Sequence, residues 1–285
     1  VRIIVGERDP WSHKGDFGRV LVVGGSRRYS GAPALAGMAA LRSGADLAII
    51  AAPRDAALAI KSISPDLIAI PVTDREDLGR EALEEVLEEA LKSDVVVIGP
   101  GMGRSERTRE FLLALLEELR RRGSKAVADA DALKLIGKGD GWERLIVTPH
   151  SGEFKSMFGL DPPRELWERI KCVIEASSLL GGTVLLKGHY DVVASGRRWK
   201  LNVTGNPGMT VGGTGDVLSG VVAAMFAVYD DPLRAAASAA YLTGRAGDLA
   251  FEEKHYSLMA SDVISKLPEA IREAVEGRAR LKMLQ

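Results

Sequence analysis

The sequence has a single cysteine in 285 residues, Cys172. No internal disulfide can form, which suits a reducing, cytoplasmic setting, and Cys172 reads as a small apolar packer in an amphipathic stretch. Net charge is also nearly absent. Lys and Arg total 38 against 39 Asp and Glu. That excludes the broad basic field of a nucleic-acid-binding protein. No apolar run reaches the ~18 residues of a membrane span; the longest, from Gly220 to Tyr229, is about ten. No signal-peptide pattern follows the first residue, and no linker or internal repeat is read along the sequence. The first residue is Val1 rather than Met, so a longer natural chain is expected. With 46% hydrophobic and 27% charged residues, the composition is ordinary for a globular protein.

What is present is an alternation. Short runs rich in Val and Ile predict strands at Arg19–Val23, Asp46–Ala51, Leu67–Val72, Asp94–Ile98, Lys125–Ala128, Leu145–Val147, Thr183–Leu186 and Asp191–Ala194. They lack polar alternation, as strands buried on both faces do. Amphipathic helices are expected over Glu76–Lys92 and Ser105–Arg122, the latter stopped by Gly123, and from Tyr29 through Leu41. After Thr214 the pattern turns helical: Thr214–Val228, Pro232–Glu252, Ser261–Leu267 and Pro268–Arg278. The βαβ rhythm implies one α/β domain over residues 1–285, with a mostly parallel sheet and helices on both faces.

The strongest local signal is the run from Asn206 to Gly220, Asn-Pro-Gly-Met-Thr-Val-Gly-Gly-Thr-Gly-Asp-Val-Leu-Ser-Gly. Glycines let backbone N–H groups turn inward and let a phosphate approach, and the helix start adds partial positive charge. Capping by Thr214 or Asp216 explains part of the pattern but does not require the glycine cluster. The ending lacks the Gly-Lys-Ser/Thr of a Walker loop. Gly99-Pro-Gly-Met-Gly103 follows a strand and precedes a helix, where ligands bind in parallel sheets, although a tight turn reads equally well. His150 follows a strand in Thr-Pro-His-Ser-Gly-Glu; Glu153 is expected either to cap the next helix or to hold a metal through water. Lys187-Gly-His-Tyr-Asp191 joins two strands as a hairpin. Asp129 and Asp131 end a strand; they suit a metal or a helix cap, and the reading leans to capping. No His or Cys cluster suggests zinc.

The Gly212–Asp216 run resembles the anion-hole and catalytic-aspartate motif of ribokinase-like kinases. The fuller series is more specific: His13-Lys-Gly-Asp16 through Ser26, Tyr29-Ser-Gly-Ala32, Gly99–Gly103, Asp129-Ala-Asp131, Thr148–Glu153 and Lys187-Gly188. Together these resemble the ADP-dependent NAD(P)H-hydrate dehydratases from about His13 to Leu267. The resemblance implies a ribokinase-like fold without a separate lid domain. It implies Asp216 as the base, with Ala32, Gly101, Gly103 and His150 beside the hydrated cofactor. It assigns Lys187, Gly188, His189, Tyr190, Asp191, Asn206, Gly213, Thr214 and Gly215 to the nucleotide. Glu153 would hold magnesium through water. It implies ADP as phosphoryl donor, Mg2+, NADH or NADPH hydrate as substrate, and a homo-oligomer, expected as a tetramer. Many such proteins carry an N-terminal epimerase domain, which is not in this sequence. Where ribokinase-like enzymes place Asn in an Asn-x-x-Glu motif, this chain has His150, which fits the dehydratases and weakens a plain sugar-kinase reading. The rivals are a vitamin-precursor kinase of the hydroxyethylthiazole type and a non-catalytic adenylate-binding regulator.

Overall fold

The computed structural model describes residue 1, residues 8–136 and residues 141–277. The apolar runs become strands β1 (Arg19–Val23), β2 (Leu47–Pro53), β3 (Ile68–Thr73), β4 (Val95–Ile98), β5 (Ala126–Ala128), β6 (Leu145–Val147), β7 (Thr183–Leu186) and β8 (Asp191–Ser195). A further strand, β9, spans Arg198–Asn202. All join one sheet in the order β3-β2-β1-β4-β5-β6-β7-β8-β9. The first seven run parallel; β8 pairs antiparallel with β7, and β9 antiparallel with β8. Among the described residues every strand belongs to this sheet.

The helices are α1 (Gly31–Arg42), α2 (Arg54–Ile63), α3 (Leu83–Leu91), α4 (Glu106–Arg121), α5 (Ser151–Phe158), α6 (Leu166–Leu180), α7 (Thr214–Val228), α8 (Pro232–Lys254) and α9 (Ala260–Glu276). Alternate strand residues feed two cores. Val20, Val22, Val95 and Val97 face α1, α2, α7, α8 and α9, whereas Leu21, Val23, Val96 and Ile98 face α3 to α6. Both strand faces are therefore apolar, which is why the strands lack polar alternation. Helix α7 buries ten consecutive residues from Val217 to Phe226. It lies against the backbone of α1: a Cβ on Gly220 would stand 2.0 Å from the Ala36 carbonyl oxygen. At the other end of α7, Lys125 Nζ donates to the carbonyls of Phe226 (2.8 Å) and Ala227 (3.3 Å), covering C-terminal groups no helix can satisfy internally.

Several elements differ from the sequence expectation. Strand β9 reads Arg-Trp-Lys-Leu-Asn and sits at the sheet edge with Arg198, Trp199 and Lys200 exposed, so it never shows an apolar run. Helices α2 and α6 were not anticipated as helices. The expected break at Pro268 does not occur; α9 passes through it, because Val263, Ile264, Leu267 and Ala270 share one buried stripe. The last residue of the expected helix, Arg278, lies outside the described residues. The expected helix from Glu76 starts later, as a 3-10 turn at Arg80–Ala82 that leads into α3.

Candidate active site

The parallel strands all end on one edge, and the backbone ladder brings the motifs together there. The loop after β4 bends at Gly99 (φ +121°), Gly101 (φ +63°) and Gly103 (φ +83°), a left-handed series open to glycine. A Cβ on Gly101 would lie 3.4 Å from the Ala32 Cβ, so the start of α1 rests on this loop. Ser26 Oγ ties them further by donating to the Gly101 carbonyl at 2.9 Å. The N–H of Gly103 donates to Asp131 Oδ2 at 3.1 Å, and Arg104 Nε donates to Asp131 Oδ1 at 2.8 Å.

Asp216 stands in the first turn of α7, one residue past Gly215. The cap position is Gly213, left-handed at φ +95°, and no side chain caps the helix there. Thr214 Oγ1 instead donates back to the carbonyls of Met209 (2.9 Å) and Val211 (3.0 Å), bracing the glycine turn. Neither Thr214 nor Asp216 is therefore a cap. By itself the positive end of α7 favours the ionised carboxylate. The opposite effect wins: burial, then the nearby Asp129, push Asp216 up to about 7, with Lys187 opposing and Asp131 adding to the rise.

Asp129 and Asp131 precede and open the 3-10 turn Ala130–Lys134, but the expected capping fails. Asp129 makes no cap hydrogen bond and turns towards β7. There Lys187 Nζ donates to Asp129 Oδ1 at 3.0 Å, with Asp129 only 2% exposed. Burial alone would lower the Lys187 ammonium, but Asp129, Glu153 and Asp216 outweigh it and hold the group charged. A Cβ on Gly215 would meet Lys187 Nζ at 3.3 Å, so the pair lies directly beneath the glycine turn.

His150 follows β6 and caps α5. Its Nδ1 accepts from the N–H groups of Gly152 (3.0 Å) and Glu153 (3.3 Å), while Glu153 Oε2 accepts from the His150 N–H at 2.9 Å. This is a full capping box, and it realises the capping role of Glu153. The His150 ring remains 61% exposed towards the open edge. The hairpin after β7 is closed by Asp191, which accepts from Gly188 N–H at 3.0 Å and from Asn202 Nδ2 at 2.9 Å; burial pushes its carboxyl up. Gly188 and His189 are exposed, and the His189 ring packs tilted against Tyr190 with ring centres 4.3 Å apart. Asn206 is held by Asp248 and by the N–H of Gly208. His13–Asp16 lies apart from all of this: Gly15 and Phe17 donate to Asp46 before β2, at the amino-terminal edge of the sheet.

Sequence reasoning missed two residues here. Asp129 was anticipated as a cap rather than as the partner of Lys187. Arg169 was not anticipated; its buried guanidinium donates to the Lys187 carbonyl at 3.2 Å and backs the Gly188 turn. Nothing in the sequence of α6 distinguishes Arg169 from a surface arginine.

With this geometry in place, comparison with known proteins decides the family. The family model for NAD(P)H-hydrate dehydratase matches residues 20–269. The chain belongs to the NAD(P)H-hydrate dehydratase family. Among members of that family, it is 50% identical over 262 residues to the bifunctional NAD(P)H-hydrate repair enzyme Nnr of Pyrobaculum aerophilum. That match covers 92% of this chain and 52% of the relative. The chain thus spans about half the length of the curated bifunctional relatives it matches. It is 41% identical over 276 residues to the ADP-dependent (S)-NAD(P)H-hydrate dehydratase of Cenarchaeum symbiosum, covering 95% and 94% of the two chains. Its fold is similar to that of the Bacillus subtilis ADP/ATP-dependent dehydratase crystallised with ATP and Mg2+, with TM-score 0.80, 29% identity and 95% of each chain covered.

Proposed function

We propose that this chain dehydrates the 6-hydroxylated form of NADH or NADPH and restores the cofactor, converting ADP to AMP and phosphate. The observation that carries this reading is Asp216: an uncapped carboxylate at a glycine turn, with a proton affinity near neutral. Hydroxide is a poor leaving group from ring carbon six. Asp216 takes the hydroxyl proton as general base while the oxygen attacks the terminal phosphoryl group of ADP, releasing AMP. The N–H groups of Gly213–Asp216 face the charge that develops on the phosphoryl group. The ring-nitrogen lone pair then expels phosphate, and loss of a proton from ring carbon five restores the dihydropyridine.

Gly103, whose missing side chain faces open space, leaves room for the hydrated ring beside Ala32 and Gly101, with His150 on its exposed side. Lys187 to Tyr190 and the Gly213–Gly215 turn receive the nucleotide; Asp191 and Asn206 support it by shaping the loops. Among the described residues no three carboxylate, imidazole or thiol groups gather to cage an ion. Magnesium needs no such cage, since one or two carboxylates with substrate phosphates and waters suffice. Glu153 fits that role through water, as its Oε1 makes only a 3.4 Å approach to His150 Nε2. Bound there, the ion would neutralise diphosphate charge.

The test mixes the protein with chemically hydrated NADH and either ADP or ATP, and follows recovery of the reduced-nicotinamide absorbance. Recovery is expected, faster with ADP. Equal or faster recovery with ATP overturns the donor assignment; no recovery with either overturns the reaction. His150→Ala is expected to raise the KM for the hydrate and leave kcat within about tenfold, roughly 1.4 kcal/mol of barrier. A collapsed kcat at unchanged KM would make His150 an acid or base. The working assembly is a homotetramer, and light scattering that gives a monomer at assay concentration would contradict it.

A further inference from the structure

Lys187 and Asp129 come from strands that do not touch. β6 lies between β5 and β7, and the ion pair spans its end. The ladder makes the span possible: Thr148 N–H donates to the Ala128 carbonyl at 3.2 Å, and Lys187 N–H donates to the Pro149 carbonyl at 2.9 Å. The pair therefore sits at fixed height beneath Gly215, whose missing side chain leaves room for it; a Cβ there would also come within 3.7 Å of Asp129 Oδ2.

A lysine ammonium on a four-carbon stem swings to the nearest carboxylate. In this cluster Asp129, Asp131, Asp216 and Glu153 all act on the Asp216–Lys187 neighbourhood. Were Lys187 bonded to Asp216, it would hold that carboxylate ionised and weaken it as a base. Asp131 is occupied by Gly103 and Arg104, and Glu153 by the α5 cap. Asp129 alone is buried, free of capping duty and 3.0 Å from the ammonium.

We propose that Asp129 is a positioning residue: it pins Lys187 beneath the glycine turn and away from Asp216, so that Asp216 remains able to accept a proton from the substrate. This deepens the dehydratase reading, in which Asp216 is the base. Asp129 touches no reacting atom; it acts through Lys187. The two partners of one ion pair then have opposite effects. Removing Asp129 takes away a negative neighbour and releases Lys187 towards Asp216, so Asp216 binds its proton less tightly. Removing Lys187 leaves Asp129 facing Asp216 unopposed, so Asp216 binds its proton more tightly.

The test needs no substrate, so it stands or falls separately from the reaction. Protein carrying 13C at the aspartate carboxyls is titrated by NMR, with Asp216 assigned by the resonance lost in Asp216→Asn. Asp129→Asn is expected to move the Asp216 midpoint down by about one pH unit or more, and Lys187→Met to move it up by about one. The double variant is expected to fall between the two single variants. If Asp129→Asn does not fold, the double variant against Lys187→Met carries the comparison, and its midpoint must be the lower. Midpoints that stay put, or that move the same way in both single variants, overturn the proposal.

Discussion

Asp216→Asn is expected to lower turnover by ~10²–10⁴-fold while calorimetric ADP affinity stays near that of the unaltered protein. Asparagine keeps the size of the side chain but cannot take the hydroxyl proton. No cap is lost, because Gly213 holds the cap position and Thr214 braces the turn from the loop side. The same variant separates catalysis from stability. The folded-state proton affinity of Asp216 is raised from 3.8 to about 7. Its stabilising contribution is therefore fully present below the lower value and is lost as pH rises through the upper one. Asp216→Asn is expected to be more stable than the unaltered protein above pH ~7, with the advantage fading towards pH ~4. The kcat/KM of the unaltered protein should rise with pH through about 7 as the carboxyl ionises. Turnover within a few fold of the unaltered protein would remove Asp216 from the chemistry; denaturant unfolding across this pH range checks the stability half.

The second large effect is structural. Gly99→Ala is expected to destabilise the fold by about 2–6 kcal/mol, from left-handed strain plus overpacking. Gly99 has φ +121°, and an added Cβ would stand 1.9 Å from the Asp129 carbonyl oxygen and 2.8 Å from the Ala132 Cβ. The backbone after β5 must move, and Asp129 moves with it. Loss of stability and loss of the Lys187 pairing should therefore travel together. Guanidinium unfolding gives the first, and a change of less than ~1 kcal/mol would contradict it.

These two residues show why some of the molecule was legible in sequence. The parallel strands are buried on both faces, so Val and Ile runs betray them directly. The glycine turn at 212–215 and the place of Asp216 in the first turn of α7 were readable because left-handed backbone demands glycine. Strand β9 stayed hidden because an edge strand with one wet face can be written in Arg, Trp and Lys. The roles of Asp129 and Asp131 stayed hidden because capping is a local rule, while their actual partners, Lys187 and the Gly103 N–H, lie 58 and 28 residues away in sequence. The raised proton affinity of Asp216 is hidden for the same reason. A helix end is visible in sequence; burial and two further carboxylates around one lysine are properties of the assembled strand ends.

In the proposed reaction, phosphoryl transfer from ADP, with Asp216 as base, drives the dehydration. Phosphorus NMR of protein, hydrated NADH and ADP in one tube tests it most directly, with reduced nicotinamide followed by absorbance in the same sample. One AMP and one inorganic phosphate are expected for each NADH restored, with Asp216→Asn producing none of the three at a comparable rate. Restoration of NADH while ADP persists, or ADP cleavage without NADH, would contradict it.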